Sequence, residues 1–133
     1  MKYLRAFENY KSSDISELHQ TIKDILLELN DDGFRCYCNL GYDVDGPSFE
    51  VRVYLNDEAL KHGRKLNFNE VEEQFKRIYN ILMEYGNVEY SFIINNLKEY
   101  RYPLKKYGFD KVRSSTNYLL TKEDYIMVYF DLR

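Results

Sequence analysis

Few residues in this sequence are of types that do chemistry unaided, and their spacing limits what they can do. Cys36 and Cys38 stand two apart. On a strand both would point the same way, but a thiolate metal site needs two further ligands at matching spacing. Core packing is the expected role of both. Asp43-Val44-Asp45-Gly46 opens like a calcium loop. Counted from Asp43, the position that should hold a bidentate Glu is Tyr54, so calcium is not expected. There are two histidines, His19 and His62. Neither stands beside a nucleophile in a catalytic motif, and His19 is expected at a helix surface or boundary. Catalytic partners meet in space, so sequence alone leaves both open as general bases. No catalytic residue, metal or cofactor is expected.

The sharpest local anomaly is residues 98–113. Lys98, Arg101, Lys105, Lys106, Lys111 and Arg113 face only Glu99 and Asp110, in a chain whose net charge is −3. Tyr100, Tyr102, Tyr107 and Phe109 interleave with them. Cations neutralise phosphates and rings stack on bases, so this stretch is a candidate nucleic-acid or acidic-partner site. The competing reading is a solvated loop whose aromatic residues plug the edge of the core.

The elements that must position these residues are written in the hydropathy pattern. Asp14 and Glu17 form a capping-box pair, followed by Ile15, Leu18, Ile22, Ile25, Leu26 and Leu29 at helical spacing, and Gly33 ends the segment. Residues 34–40 and 48–55 alternate. Phe34, Cys36, Cys38 and Leu40, then Phe49, Val51, Val53 and Leu55, make apolar faces. Residues 41–47 form the connecting loop. After a polar loop at 56–66, Asn67 and Glu70 pair as a second capping box, and Phe68, Val71, Phe75, Ile78, Leu82 and Tyr85 form a second stripe ending at Gly86. A strand follows at 87–94. Residues 95–110 are expected to be irregular or a short helix. A terminal hairpin of 111–120 and 125–132 turns at 121–124. Residues 1–12 form an arm.

The implied fold is α+β: two amphipathic helices on one face of a mainly antiparallel sheet, in the order α-β-β-α-β-short α-β-β and within one domain. With 44% apolar residues, 31% charged and 133 in all, the chain can bury a core without staples. No apolar run reaches the roughly 20 residues that span a bilayer. Residues 1–8 lack a signal-peptide pattern, and two cysteines make no disulfide framework. A reducing cytoplasm is the expected compartment. Fourteen Tyr and eight Phe against no Trp reflect either AT-rich codons or a contact-prone surface. On the second reading, Arg35, Tyr37, Arg52 and Tyr54, all on the polar sides of the first two strands, form a protein-contact face. Ordinary cross-strand pairing on a solvated sheet is the plainer alternative. If the face binds, Tyr54→Ala is expected to lower partner affinity without lowering the melting temperature.

Two resemblances extend these readings. Tyr102-Pro103-Leu104-Lys105-Lys106-Tyr107-Gly108-Phe109, then Asn117-Tyr118 and the strand at 125–132, resemble the C-terminal part of GNAT-type N-acetyltransferases over about 67–132. That resemblance implies an acetyl-CoA site built on a glycine-rich loop before the second helix. The corresponding stretch here, Gly63-Arg64-Lys65-Leu66-Asn67-Phe68-Asn69, has one glycine. More loosely, Met1–Asn9, Ile22–Phe34 and Ser48–Val53 resemble small uncharacterised proteins of tailed bacteriophages. This implies a non-catalytic, phage-encoded interaction protein, virion-associated or directed at a host protein.

Overall fold

Ile15, Leu18, Ile22, Ile25, Leu26 and Leu29 fall on one stripe because their spacing of three and four residues matches the helical period. All six are at most 5% exposed. They belong to α1, Ser12–Asn30. Asp14 lies inside the first turn of this helix and is not its cap, since the helix already begins at Ser12. Gly33 then takes φ +95°, a left-handed conformation that glycine adopts without steric cost. The computed structural model describes residues 12–95, 99–103 and 125–133. The arm expected at 1–12 lies outside these except for Ser12.

Strand β1, Phe34–Asp43, and strand β2, Gly46–Leu55, are longer than the alternation suggested and pair in register from Phe34↔Leu55 to Asp43↔Gly46. The expected loop of seven residues is therefore a two-residue turn, Val44-Asp45. The Asp43 carboxylate accepts from the backbone N–H groups of Asp45 (2.9 Å) and Gly46 (3.1 Å), which closes the turn locally.

The loop after β2 contains a short helix, α2, Asp57–Lys61, capped by Asn56. Asn67 does cap a helix, but only the single 3₁₀ turn Phe68–Glu70. The α-helix proper, α3, covers Glu72–Met83 and starts at Val71 without a side-chain cap. Both helix types place residues i and i+3 on one side, so the apolar stripe could not reveal the break. Phe68, Val71, Phe75, Ile78 and Leu82 are fully buried, whereas Tyr85 is exposed.

Strand β3 is Val88–Asn95, β4 is Glu99–Pro103 and β5 is Tyr125–Leu132. Among the described residues the sheet has five strands in the order β1-β2-β5-β3-β4, every pair antiparallel. Two expectations change here. Residues 99–103 are an edge strand and not a short helix, an edge being where Pro103 costs the ladder least. Strand β5, expected to pair with a hairpin partner, lies between β2 and β3 with both edges paired. That partner, 111–120, and the turn at 121–124 lie outside the described residues, as do 104–110.

One row of side chains shows why the layers close. Leu40, Phe49, Phe130 and Tyr90 are neighbours across β1, β2, β5 and β3 on a single sheet face. From α1, the His19 ring lies 6.4 Å from that of Phe49. From α3, Phe75 stacks on Phe130 at 6.3 Å, and Tyr79 meets Tyr90 at 4.7 Å. Both long helices therefore cover the same face, and Arg77 of α3 bonds Glu28 of α1 at 2.5 Å above it. Complete burial of Phe49, Phe68, Phe75 and Phe130 stabilises the fold by roughly 1.5–3 kcal/mol each before entropy is counted.

Candidate functional site

The opposite sheet face is built from the alternate positions of the same strands. Register pairs Arg35 with Tyr54 and Tyr37 with Arg52, so cation and ring alternate across β1 and β2. The Arg35 guanidinium carbon lies 4.8 Å from the Tyr54 ring and 5.9 Å from the Tyr37 ring. Tyr37 and Tyr54 meet edge to face at 5.9 Å. Tyr54 also packs on Tyr125 of β5 at 5.4 Å, and Arg52 lies 5.1 Å from that same ring. The four residues expected to form a contact face thus form one interlocked group.

Their exposures and charges differ. Tyr37 is 46% exposed and Arg35 is exposed, while Arg52 and Tyr54 are half-buried. Arg52 donates through Nε to Glu50 Oε1 at 2.7 Å and reaches Met127 Sδ at 3.1 Å. Hydrogen bonding to Tyr54, then to Glu50, pushes its pKa further up. Arg52 is therefore a committed internal cation. Arg35 has ring contacts but no carboxylate partner among the described residues. The positions that can meet another molecule are Arg35 and Tyr37, backed by Arg52 and Tyr54. Tyr54 touches Arg35, Tyr37 and Tyr125, so Tyr54→Ala is expected to lower stability as well as partner affinity, which differs from the sequence expectation.

Tyr125 and Met127 belong to this face and were not among the sequence candidates. The signal was present: both occupy odd positions in β5, opposite Ile126 and Val128. Placing them beside Arg52 required knowing that β5 pairs with β2.

The remaining candidates separate cleanly. Cys38 is buried and Cys36 half-buried, and burial pushes both thiols up to about 12, so neither supplies a thiolate at neutral pH. Asp43 is bound by Arg133 through both carboxylate oxygens at 2.9 Å, and that hydrogen bonding, more than any other contact, lowers its pKa. A carboxylate so occupied is a turn anchor. His19 Nε2 donates to the backbone carbonyl of Cys38 at 2.9 Å from a half-buried position within α1. His62 is exposed at the end of α2. Among the described residues no His, Cys, Asp or Glu group is arranged to hold a metal ion, and no helix is long and apolar enough to cross a membrane. Of the basic aromatic segment, Arg101 and Tyr102 fall on β4. Lys98, Lys105, Lys106, Tyr107, Lys111 and Arg113 lie outside the described residues.

Comparison of the chain with family models, with curated proteins and with solved structures finds no match.

Proposed function

We propose that this chain is a non-catalytic interaction protein that binds a protein partner through the Arg35–Tyr37–Arg52–Tyr54 face of its sheet. One observation carries the reading. Tyr37 is presented to solvent by packed neighbours, beside an arginine with no carboxylate partner among the described residues. Tyr and Arg are enriched among hot-spot residues, and a side chain already held in place loses little entropy on binding. Internal ion pairing of Arg52 with Glu50 supports the same reading, because it fixes the backing layer without consuming Arg35.

The test is a photo-crosslinking residue at position 37, with position 83 on α3 as control, in extract of the source cells. A discrete adduct from 37 alone is expected. Arg35→Ala with Tyr37→Ala should then weaken the isolated partner by about thirtyfold or more, corresponding to about 2 kcal/mol. Equal adducts from both positions, or an affinity loss matched by a fall in melting temperature, would sink the proposal.

A further inference from the structure

β1 is the first strand of the sheet, and the direction of its backbone groups can be worked out. Asn56 N–H donates to Gly33 O at 2.9 Å, which sets the phase of the ladder so that odd-numbered residues bond β2. Even-numbered residues then turn their N–H and C=O groups to the outer edge. His19 confirms this phase, because the carbonyl it reaches is that of Cys38. The groups of Cys36 and Leu40 and the N–H of Cys38 therefore face outward. Among the described residues no strand lies on that side. Edge strands are ordinarily shortened or interrupted by proline, yet β1 is ten residues long and contains none.

A groove of about 350 Å³ runs beside this edge, lined by Lys23, Leu26 and Leu27 of α1 and by Cys36, Tyr37 and Cys38 of β1. Leu27 is 57% exposed above it. We infer that this edge and groove take an extended acidic segment of a protein partner, which adds to the sheet as a further strand. Main-chain bonds to β1 would give affinity, and alternate side chains would give specificity. One set of side chains enters the groove against Leu26 and Leu27, and the other passes Tyr37 and Arg35. Charge decides the class of segment. Lys23 is the one charged residue among those lining the groove, and Arg35 on the other side has no carboxylate partner among the described residues. A strand passing between two cations is favoured when it is acidic. A second copy of this chain is disfavoured, because two-fold pairing through β1 would bring both Lys23 and both Arg35 side chains along one seam.

This inference rests on the reading of the chain as a partner-binding protein and adds the mode of binding. The probe is an alternating glutamate–valine hexapeptide with blocked ends, compared with its lysine–valine counterpart by amide hydrogen exchange and NMR titration. The glutamate peptide should slow exchange at Cys36, Cys38 and Leu40, and the lysine peptide should not. Lys23→Glu with Arg35→Glu should weaken it roughly tenfold or more. Leu40→Pro, which removes an outward N–H, should abolish the protection that Leu40→Ala retains. Protection elsewhere, equal response to both peptides, equal loss in the Pro and Ala variants, or no response at millimolar peptide overturns the inference. So does slowed exchange that grows with protein concentration alone, the mark of self-pairing. A crosslinked partner at position 37 with unmoved β1 amides would overturn this mode of binding and leave the proposed face standing. The reverse result would overturn the face alone.

Discussion

Tyr54 stands directly across the ladder from Arg35, whose guanidinium carbon lies 4.8 Å from its ring. Tyr54 also touches Tyr37 and Tyr125. Each aromatic pair contributes about 0.5–1.5 kcal/mol and an exposed cation–ring contact about 0.5–1 kcal/mol. Tyr54→Ala should therefore lower unfolding free energy by about 2 kcal/mol in urea denaturation, while Tyr37→Ala, at the rim, costs under about 1 kcal/mol. Equal losses would mean that the face is a uniform surface with no backing layer.

Cys36 and Cys38 give a chemical check on the same strand. Burial drives both thiols up to about 12, so almost none of either is thiolate at pH 7.5. A thiol-reactive dye should label the native protein far more slowly than a free cysteine, with fast labelling of both once urea unfolds it. Rapid labelling of the folded chain at neutral pH would contradict the burial.

The parts of this fold that are local in sequence were legible, and the parts fixed by long-range pairing were not. Period-two alternation assigned Phe49 and Val51 to the core and Arg52 and Tyr54 to the other face, because adjacent strand residues must point oppositely. Stripes at three and four residues placed Ile22 and Phe75 inward. The central place of β5 was not legible because neighbouring strands in sequence usually pair, whereas here Phe130 joins Phe49 to Tyr90 across elements far apart in the chain. Edge strand β4 was missed for a related reason: Glu99-Tyr100-Arg101-Tyr102 alternates charge with ring and shows no aliphatic face. The candidate face was legible as four residues, but its division into exposed Arg35 and Tyr37 over internal Arg52 and Tyr54 depends on Tyr125 and Met127.

Asp43 makes stability depend on acid. Hydrogen bonds from Arg133 hold its carboxyl below the usual carboxylate range. A pKa lowered by folding contributes stability that is present above the unfolded value near 4 and is lost as pH falls through the folded value. The Asp43 side chain is 46% exposed, so solvent screens the pair and its contribution is no more than about 1 kcal/mol. Asp43→Asn keeps an oxygen for the turn and removes the charge. Its stability deficit relative to the parent should be present from pH 5 to 7 and shrink toward zero near pH 2. A deficit constant across that range would assign the effect to the turn alone.

Gly33 tests how the α1–β1 corner is built. Its φ of +95° disfavours any side chain, and an added Cβ would meet Arg64 Nη1 and lie 3.3 Å from Ala59 Cβ. Arg64 is held there by the Asp32 carbonyl and by Glu70 at 3.1 Å, and its guanidinium carbon lies 4.7 Å from the Phe34 ring. The cost of Gly33→Ala thus has two parts, backbone strain of about 1–2 kcal/mol and displacement of the arginine. Arg64→Ala removes the second part and leaves the first. Gly33→Ala should therefore cost less in an Arg64→Ala background than in the parent, while still costing about 1 kcal/mol or more. Strict additivity in the urea double-mutant cycle would show that Arg64 yields freely. Complete rescue would show that the backbone at 33 is not strained, because removing a side chain elsewhere cannot relieve a left-handed φ.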